Sequence, residues 1–266
     1  MKVKSRNIVY VGGHDLGYKC LKYLIEENYN VILCIGRKDD EPGSFVFPSV
    51  LELAREHNIP TLRPEKINDL KVINIVKSLR SEIALSIQNN RIFKENWIDY
   101  FNALLGIVNI HLSPLPRYGG FWPEMWAIWN DEKLFGITMH YIDHGVDTGR
   151  IIAQYPIEII ETETRKTLYD KCVQAAFKMF KDNINSILFK KMLGQEQDLT
   201  KKSYFKRELP NNGFIDFSWD AKKIERFIRA LSFYPFVGPK MKIGDRIIST
   251  VDCDLEFYKP IIFKTK

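Results

Sequence analysis

The sequence has 266 residues, of which 45% are hydrophobic and 27% charged, as in an ordinary globular protein with room for a sizeable core. No apolar run reaches about 18 residues, the amino terminus lacks a signal-peptide core, and no Cys-x-x-Cys occurs, so we expect no membrane span, secretion, zinc site or disulfide framework, and a cytoplasmic location. The net charge of +6 is compatible with a phosphorylated substrate or with RNA; the four cysteines are Cys20, Cys34, Cys172 and Cys253.

The first elements predict a Rossmann-like α/β sheet. Residues 8–11 and 31–35 are typical of buried strands, and residues 16–27 of an amphipathic helix between them. The turn from Gly12 to Gly17 is not G-x-G-x-x-G, and no acidic residue ends the second strand, so a dinucleotide site is poorly supported. Main-chain amides at Gly13 and His14 are candidates for holding a phosphate of the substrate. A tight packing turn is an equally good interpretation.

The next elements continue the alternation of helices and strands. Residues 51–57 and 70–79 predict helices, and residues 61–62 and 83–87 predict strands. In the second helix we expect a buried face made of Leu70, Ile73, Val76 and Leu79.

A polar pair follows the apolar run 104–108, which predicts a buried strand. Asn109 and His111 then fall at its carboxyl end, where open α/β sheets bind their ligands, and residues two apart on a strand face the same way. An amide and an imidazole suit the oxyanion of a tetrahedral acyl-transfer intermediate. Asp147, if the fold returns it to the same pocket, could orient His111 and relay a proton from an attacking amine.

The stretch 109–149 resembles the folate-dependent formyltransferases. It contains Asn109-x-His111 followed by Ser113, a Leu/Pro turn, Tyr118, Gly120, Pro123 and Trp126, then Gly136-Ile-Thr138-x-His140 and Asp147-x-Gly149. The resemblance implies transfer of a formyl group from the co-substrate 10-formyltetrahydrofolate to a primary amine, with Asn109, His111 and Asp147 at the catalytic positions. The chain departs from the family in having Pro114-Leu115 for Leu-Leu and Gly119 for Arg, which affects the acceptor loop rather than the catalytic set.

The resemblance also implies binding residues. By position, Arg91, Ile92 and Phe93 would line the folate pocket with Ile142 and Asp143; the alternative is that Ile92 and Phe93 are core residues. Candidates for holding the sugar and its pyrophosphate are Arg117, Tyr118 and Trp122, with the turn at Gly13 and His14. Trp122 could instead be core, and Tyr118 could only brace its loop.

The rest of the chain predicts a helix at 123–129, strands at 136–141 and 150–159, and a long helix at 164–191. The buried side of the long helix is expected to contain Leu168, Cys172, Ala175, Ala176, Met179 and Ile187. We expect residues 1–200 to form the formyltransferase domain. Residues 201–266 would add a small extension: a helix over 224–231, then a hairpin turning at Gly244-Asp245. The doublets at 190–191, 201–202 and 222–223 are interpreted as solvated lysines.

His140 and His144 have no metal-ligand spacing, so we expect no metal site. His140 alternates with apolar neighbours, which indicates a hydrogen-bonded structural histidine. His144 lies in a glycine-bearing loop and is expected to be exposed.

Three functions remain. The first is an N-formyltransferase for a dTDP-linked amino-dideoxyhexose, with dTDP-4-amino-4,6-dideoxyglucose as the first choice, in lipopolysaccharide O-antigen biosynthesis. The second is a methionyl-tRNA formyltransferase, disfavoured because the segment after Lys240 is too short for the C-terminal barrel of the tRNA enzymes. The third is a non-catalytic Rossmann-like module that binds folate or a nucleotide. We expect nucleotide sugar and folate as partners, nucleic acid and membrane not to be partners, and a homodimer through the extension, whose small sheet has open edges.

Overall fold

The computed structural model describes residues 4–41, 43–44, 46–190, 192–233, 236 and 238–249. The chain forms two compact units that alternate along the sequence. The first comprises Met1–His111, Thr138–Tyr155 and Val173–Leu199, and the second comprises Leu112–Ile137, Pro156–Cys172 and Thr200–Lys266. Cys253 and the end of the predicted extension lie outside the described residues.

A seven-stranded sheet organises the first unit, with strand order β3-β2-β1-β4-β5-β7-β8. Its strands are β1 (Lys4–Gly12), β2 (Tyr29–Gly36), β3 (Thr61–Leu62), β4 (Ile83–Ile87), β5 (Ile107–His111), β7 (Leu134–Tyr141) and β8 (Ile151–Glu158). β1, β2, β3, β4 and β5 pair in parallel, whereas β7 pairs antiparallel with β5. The predicted Rossmann-like α/β fold is therefore confirmed.

The helices lie at α1 (His14–Glu26), α2 (Val50–Glu56), α3 (Leu70–Ser78), α4 (Glu95–Asn102), α5 (Pro123–Trp129), α6 (Arg165–Lys190) and α7 (Ala221–Leu231). On one side of the sheet, Trp97 and Phe101 of α4 are fully buried against Val9, Ile35 and Ile107. Cys20, Cys34 and Cys172 are buried free thiols.

Several local predictions were wrong. Residues 104–106 do not belong to β5. They form the turn after α4, a helix that the sequence did not predict, and Gly106, at φ +86°, closes this turn by donating to the carbonyl of Phe101. The turn after β1 ends at Gly13, so His14 already belongs to α1. Leu70 begins α3 and is 68% exposed, since the first helical turn projects beyond the core that Ile73 and Val76 enter.

The second unit contains α5, α7 and the first turns of α6. Helices α5 and α7 pack through Trp129 and Phe227, whose ring centroids are 5.4 Å apart. Two short strands that the sequence did not predict, β6 (Gly119–Gly120) and β9 (Tyr204–Phe205), pair in parallel. The predicted hairpin is confirmed as β10 (Lys240–Ile243) and β11 (Arg246–Ser249), an antiparallel pair with its turn at Gly244-Asp245.

Candidate active site

Asn109 and His111 lie among the last three residues of β5, on the same side of the strand. Asn109 lies opposite Ser86 of β4 and His140 of β7, and His111 lies opposite Thr138. Both residues are partly buried, and their strand neighbours Val108 and Ile110 are buried. The sheet thus presents an amide and an imidazole together at the carboxyl end of a central strand, as the sequence predicted.

His140 holds the Asn109 amide in one direction. Its Nδ1 lies 2.7 Å from the carbonyl oxygen of Tyr141, which can only accept, so Nδ1 carries the proton. Burial lowers the pKa of His140 to about 4, so the ring is neutral at pH 7 and Nε2 is an acceptor. Asn109 Nδ2 donates to it at 2.9 Å. The expected hydrogen-bonded histidine is therefore found, and it also leaves the second amide hydrogen of Asn109 for a ligand.

Asp147 comes back to the same site from the loop that follows β7. Its Oδ2 lies 3.9 Å from Nε2 of His111, and the two side chains are 16% and 14% exposed. This separation exceeds a hydrogen bond, but catalytic contacts commonly tighten when substrate binds. The structure therefore brings Asn109, His111 and Asp147 together within the first unit.

The loop that carries Asp147 is tied down at both ends. Asp143 Oδ1 accepts from the amide of Gly145 and from the Thr148 hydroxyl, at 3.0 and 2.7 Å. A Cβ at Gly149 would stand 1.9 Å from the carbonyl oxygen of Tyr141, so only glycine fits there. The Asp143 side chain, expected at the folate, faces its own loop, and Ile142 packs against the core.

The predicted pterin segment has three differently placed side chains. Arg91 donates to the carbonyls of Gly36 and Pro64, at 2.8 and 3.2 Å. Phe93 is buried against Trp97, with centroids 4.9 Å apart, whereas Ile92 is 65% exposed. Phe93 is thus a core residue in its side chain, and Arg91 joins the ends of neighbouring segments.

The turn after β1 has an arginine at its centre. A Cβ on Gly13 would meet Cδ of Arg37 at 2.4 Å, so a larger residue there would displace the arginine side chain. Arg37 binds both carboxylate oxygens of Asp39 at 2.7 Å. The His14 ring stacks on Phe47 at 4.0 Å, and burial followed by the nearby Arg37 charge lowers its pKa to about 4. The ring next to Gly13 is therefore neutral at pH 7.

Three candidates lie in the second unit. Arg117 and the buried Tyr118 both bind Glu132, and Tyr118 stacks on Phe205 at 5.3 Å, which braces its loop. Trp122 precedes α5 in a left-handed conformation, φ +51°. The guanidinium carbons of Arg165 and Arg207 lie 5.3 and 6.0 Å from the Trp122 ring, so this partly exposed ring lies beside two cations.

The described residues contain no cluster of three His, Cys, Asp or Glu side chains that could hold a metal ion. Within the same residues, no helix is both long and apolar enough to cross a bilayer. His144 is exposed and lies 3.4 Å from Asp99.

Comparison with known proteins identifies a family and several similar sequences. Residues 6–184 match the formyl transferase family. The chain is 34% identical over 257 residues to the bifunctional polymyxin resistance protein ArnA of Wigglesworthia glossinidia brevipalpis, covering 95% of this chain but only 38% of that protein. It is 30% identical to methionyl-tRNA formyltransferase of Clostridioides difficile (strain 630), covering 86% and 74% of the two chains.

Two solved structures are similar over most of their length. One is WlaRD, a sugar 3N-formyl transferase crystallised with dTDP and 5-N-formyl-THF: it has 26% identity and a TM-score of 0.71, over 90% of this chain and 83% of that one. The other is an N-formyltransferase from Helicobacter canadensis with folinic acid and dTDP-3-aminofucose: it has 26% identity and a TM-score of 0.72, over 92% and 85%.

Proposed function

This chain belongs to the formyl transferase family, and we propose that it transfers the formyl group of 10-formyltetrahydrofolate to the amine of a dTDP-linked amino-dideoxyhexose. The observation that carries the proposal is the meeting of Asn109, His111 and Asp147, with 3.9 Å between the last two. The two sugar enzymes with similar structures bind a formylated folate and a dTDP ligand, which supports this choice of substrates.

The proposed reaction needs no nucleophile from the protein. The substrate amine attacks the formyl carbon, and the developing oxyanion accepts hydrogen bonds from the free amide hydrogen of Asn109 and from His111. Asp147 keeps His111 oriented and takes up the amine proton, through that ring or a water molecule. The carbon–nitrogen bond to the folate then breaks, and the proton passes to the departing folate nitrogen. Neutral His140 keeps the amide turned toward the oxyanion.

The remaining site residues are proposed as binding groups. For the folate we propose the main chain of Arg91, Ile92 and Phe93, with Ile142 and Asp143. The buried side chain of Phe93 fits a contact made through the backbone.

For the nucleotide sugar we propose Gly13, His14, Arg117, Tyr118 and Trp122. Support comes from the glycine turn at the end of β1 and from the ring of Trp122 beside two guanidinium groups.

Our first choice of sugar is 4-amino-4,6-dideoxyglucose, in O-antigen biosynthesis. Because both similar sugar enzymes are described with 3-amino sugar chemistry, a dTDP-3-amino sugar is the second substrate to test. A tRNA acceptor is favoured separately by the 30% identity to a methionyl-tRNA formyltransferase.

The direct test is to supply the purified protein with 10-formyltetrahydrofolate and each dTDP-amino sugar and to measure tetrahydrofolate release. We expect turnover with one of the sugars, and a fall in kcat on the order of 10²- to 10³-fold in Asn109→Ala and His111→Ala. His57→Ala, which removes an exposed imidazole, is the control. Folate binding without turnover on any amine would indicate a non-catalytic module instead.

We also propose how the chain is organised. Residues 1–200 would form the catalytic domain, and residues 201–266 an extension that joins two copies. Ile247 and Ile248 of β11 are 62% and 39% exposed, which supplies apolar surface for such a contact. Sedimentation velocity should show a dimer that Ile247→Lys converts to monomer; a monomeric wild-type protein would refute it.

The free thiols of Cys20, Cys34 and Cys172 support a cytoplasmic location.

A further inference from the structure

Gln197 holds the loop of Asp147 from a distant part of the sequence. It follows α6, beyond the residues that match the family pattern, 6–184. Its side-chain Nε2 donates to the carbonyl oxygens of Asp147 and Gly149, at 3.0 and 2.7 Å. One side chain therefore fixes two peptide groups of the loop, Asp147–Thr148 and Gly149–Arg150.

The chemistry of the contact determines the orientation of the Gln197 amide. Both partners are carbonyl oxygens, which only accept, so the amide nitrogen has to face them. Its Oε1 is buried and has no hydrogen-bond partner in the described part of the chain. This orientation leaves the Gln197 oxygen unpaired, and the two hydrogen bonds that its amide nitrogen donates to the loop explain it.

What they hold is a strained segment of backbone. Asp147 adopts φ +56°, a left-handed conformation that costs energy in any residue with a Cβ. Such a conformation persists only where its surroundings determine it. Asp143 supplies the hydrogen bonds at the start of this loop, and Gln197 supplies them at its end.

Gln197 is itself anchored to the sheet. Two residues earlier, the main chain of Gln195 exchanges hydrogen bonds with Ile151 at the start of β8, both of 2.7 Å. The contact therefore links the loop to a strand of the sheet through Gln195.

We propose that Gln197 is a positioning residue for formyl transfer: by binding the carbonyls of Asp147 and Gly149, it sets where the Asp147 carboxylate stands relative to His111. This inference rests on the proposed function. It assigns no contact with substrate to Gln197, so its effect belongs to the chemical step and not to binding.

Gln197→Met tests the proposal, because methionine has a similar length and shape but no donor. We expect kcat to fall on the order of ten- to a hundredfold, as for a small misplacement of a catalytic group, while KM for folate and for the acceptor changes little. Gln195→Met is the matched control: it makes the same exchange on an exposed side chain whose contacts with Ile151 are through its main chain.

A double-mutant cycle tests whether the effect passes through Asp147. In the Asp147→Asn background, Gln197→Met should cost little further kcat, because the group it positions is already altered. Two results would refute positioning. One is a fall in kcat from Gln197→Met that is as large in the Asp147→Asn background as in the wild-type protein. The other is a fall in kcat from Gln195→Met as large as that from Gln197→Met.

A structural readout keeps the test independent of the substrate. In crystals of Gln197→Met, we expect residues 147–149 to shift or take alternative conformations and the separation of 3.9 Å between His111 and Asp147 to change. An unchanged loop would overturn the inference whether or not the wild-type protein turns over. A shifted loop in a protein that transfers no formyl group would instead overturn the proposed function.

Discussion

At the scale of single residues, the protonation state of His140 controls which hydrogens Asn109 presents to a ligand. Neutral His140 accepts from the Asn109 amide at Nε2, since its Nδ1 donates to Tyr141. If the ring gained a second proton, Nε2–H would face an N–H, and the amide would have to turn over and offer its oxygen instead. The orientation in which the Asn109 amide donates to an oxyanion therefore depends on His140 being neutral.

His140 should also make the fold sensitive to acid. Burial lowers its pKa from 6.5 to about 4, so from about pH 6.5 down to 4 the unfolded chain binds a proton that the folded chain does not. The free energy of unfolding should fall across that window, by roughly 3 kcal/mol at most from this group. Urea denaturation at pH 7.5, 6 and 5 should show a shallower fall in His140→Gln than in wild type.

The control for that experiment is His57→Gln, which changes an exposed histidine in the same way. His14, whose pKa is also lowered to about 4, contributes in the same direction and remains in both variants. An identical slope in His140→Gln and wild type would show that the buried ring is not a source of acid sensitivity.

Asn109 and His111 could be predicted from sequence because their spacing is local, whereas the return of Asp147 to the same site was expected only from the resemblance to the formyltransferases. Asn109 and His111 are two apart on one strand, and Asp147 follows within the same motif. The bond from Asn109 to His140 depends on the register of β5 against β7, which the sequence does not state. Gln197 could not be found, because its partners are main-chain carbonyls 50 and 48 residues away.

At the scale of elements, a buried ion pair joins α5 to the start of α6. Arg165 Nε donates to Glu124 Oε1 at 2.8 Å, and each side chain is only 7% exposed. The same guanidinium lies 5.3 Å from the ring of Trp122 and 5.1 Å from that of Phe233. Since both charges are out of water, each depends on the other for compensation.

Removing one member should therefore be costly. Arg165→Met leaves the Glu124 carboxylate buried and unpaired, and we expect a loss of about 3 to 5 kcal/mol in the free energy of unfolding. Lys166→Met, next in sequence, breaks an exposed pair with Asp170 and should cost less than about 1 kcal/mol. Denaturant unfolding of both variants compares them; equal losses would show that burial does not set the value of the Arg165 pair.

The elements that the sequence predicted well have a strong period or a clear end. Strand β4 and helix α5 were predicted with the bounds that the structure shows. Helix α4 was missed because only Trp97, Ile98 and Phe101 mark its buried face, in eight residues without a side-chain cap. The apolar run before Asn109 was assigned to a strand because hydrophobicity alone does not show that Gly106 turns the chain at φ +86°.

At the scale of the whole molecule, the net charge of +6 is compatible with either acceptor, a nucleotide sugar or a tRNA. The salt dependence of binding distinguishes the two acceptors. A protein that binds tRNA releases condensed counterions at each phosphate it contacts, and six contacts would cost about a thousandfold in affinity between about 50 and 200 mM salt. A nucleotide sugar carries only two phosphates and no condensed ion atmosphere. For the proposed sugar acceptor, kcat/KM should therefore fall only severalfold over that range.

The decisive comparison runs both acceptors in the same salt series. We expect initiator methionyl-tRNA to show only weak binding that salt abolishes, and no formylation at any concentration. Formylation of the tRNA, with a binding constant that falls steeply with salt, would make the protein a tRNA enzyme despite its likeness to the two sugar enzymes. Surface charge affects binding, whereas the residues around His111 affect the chemical step. Arg207→Ala, which removes one surface charge, should therefore change the KM for the acceptor in the salt series and leave kcat intact.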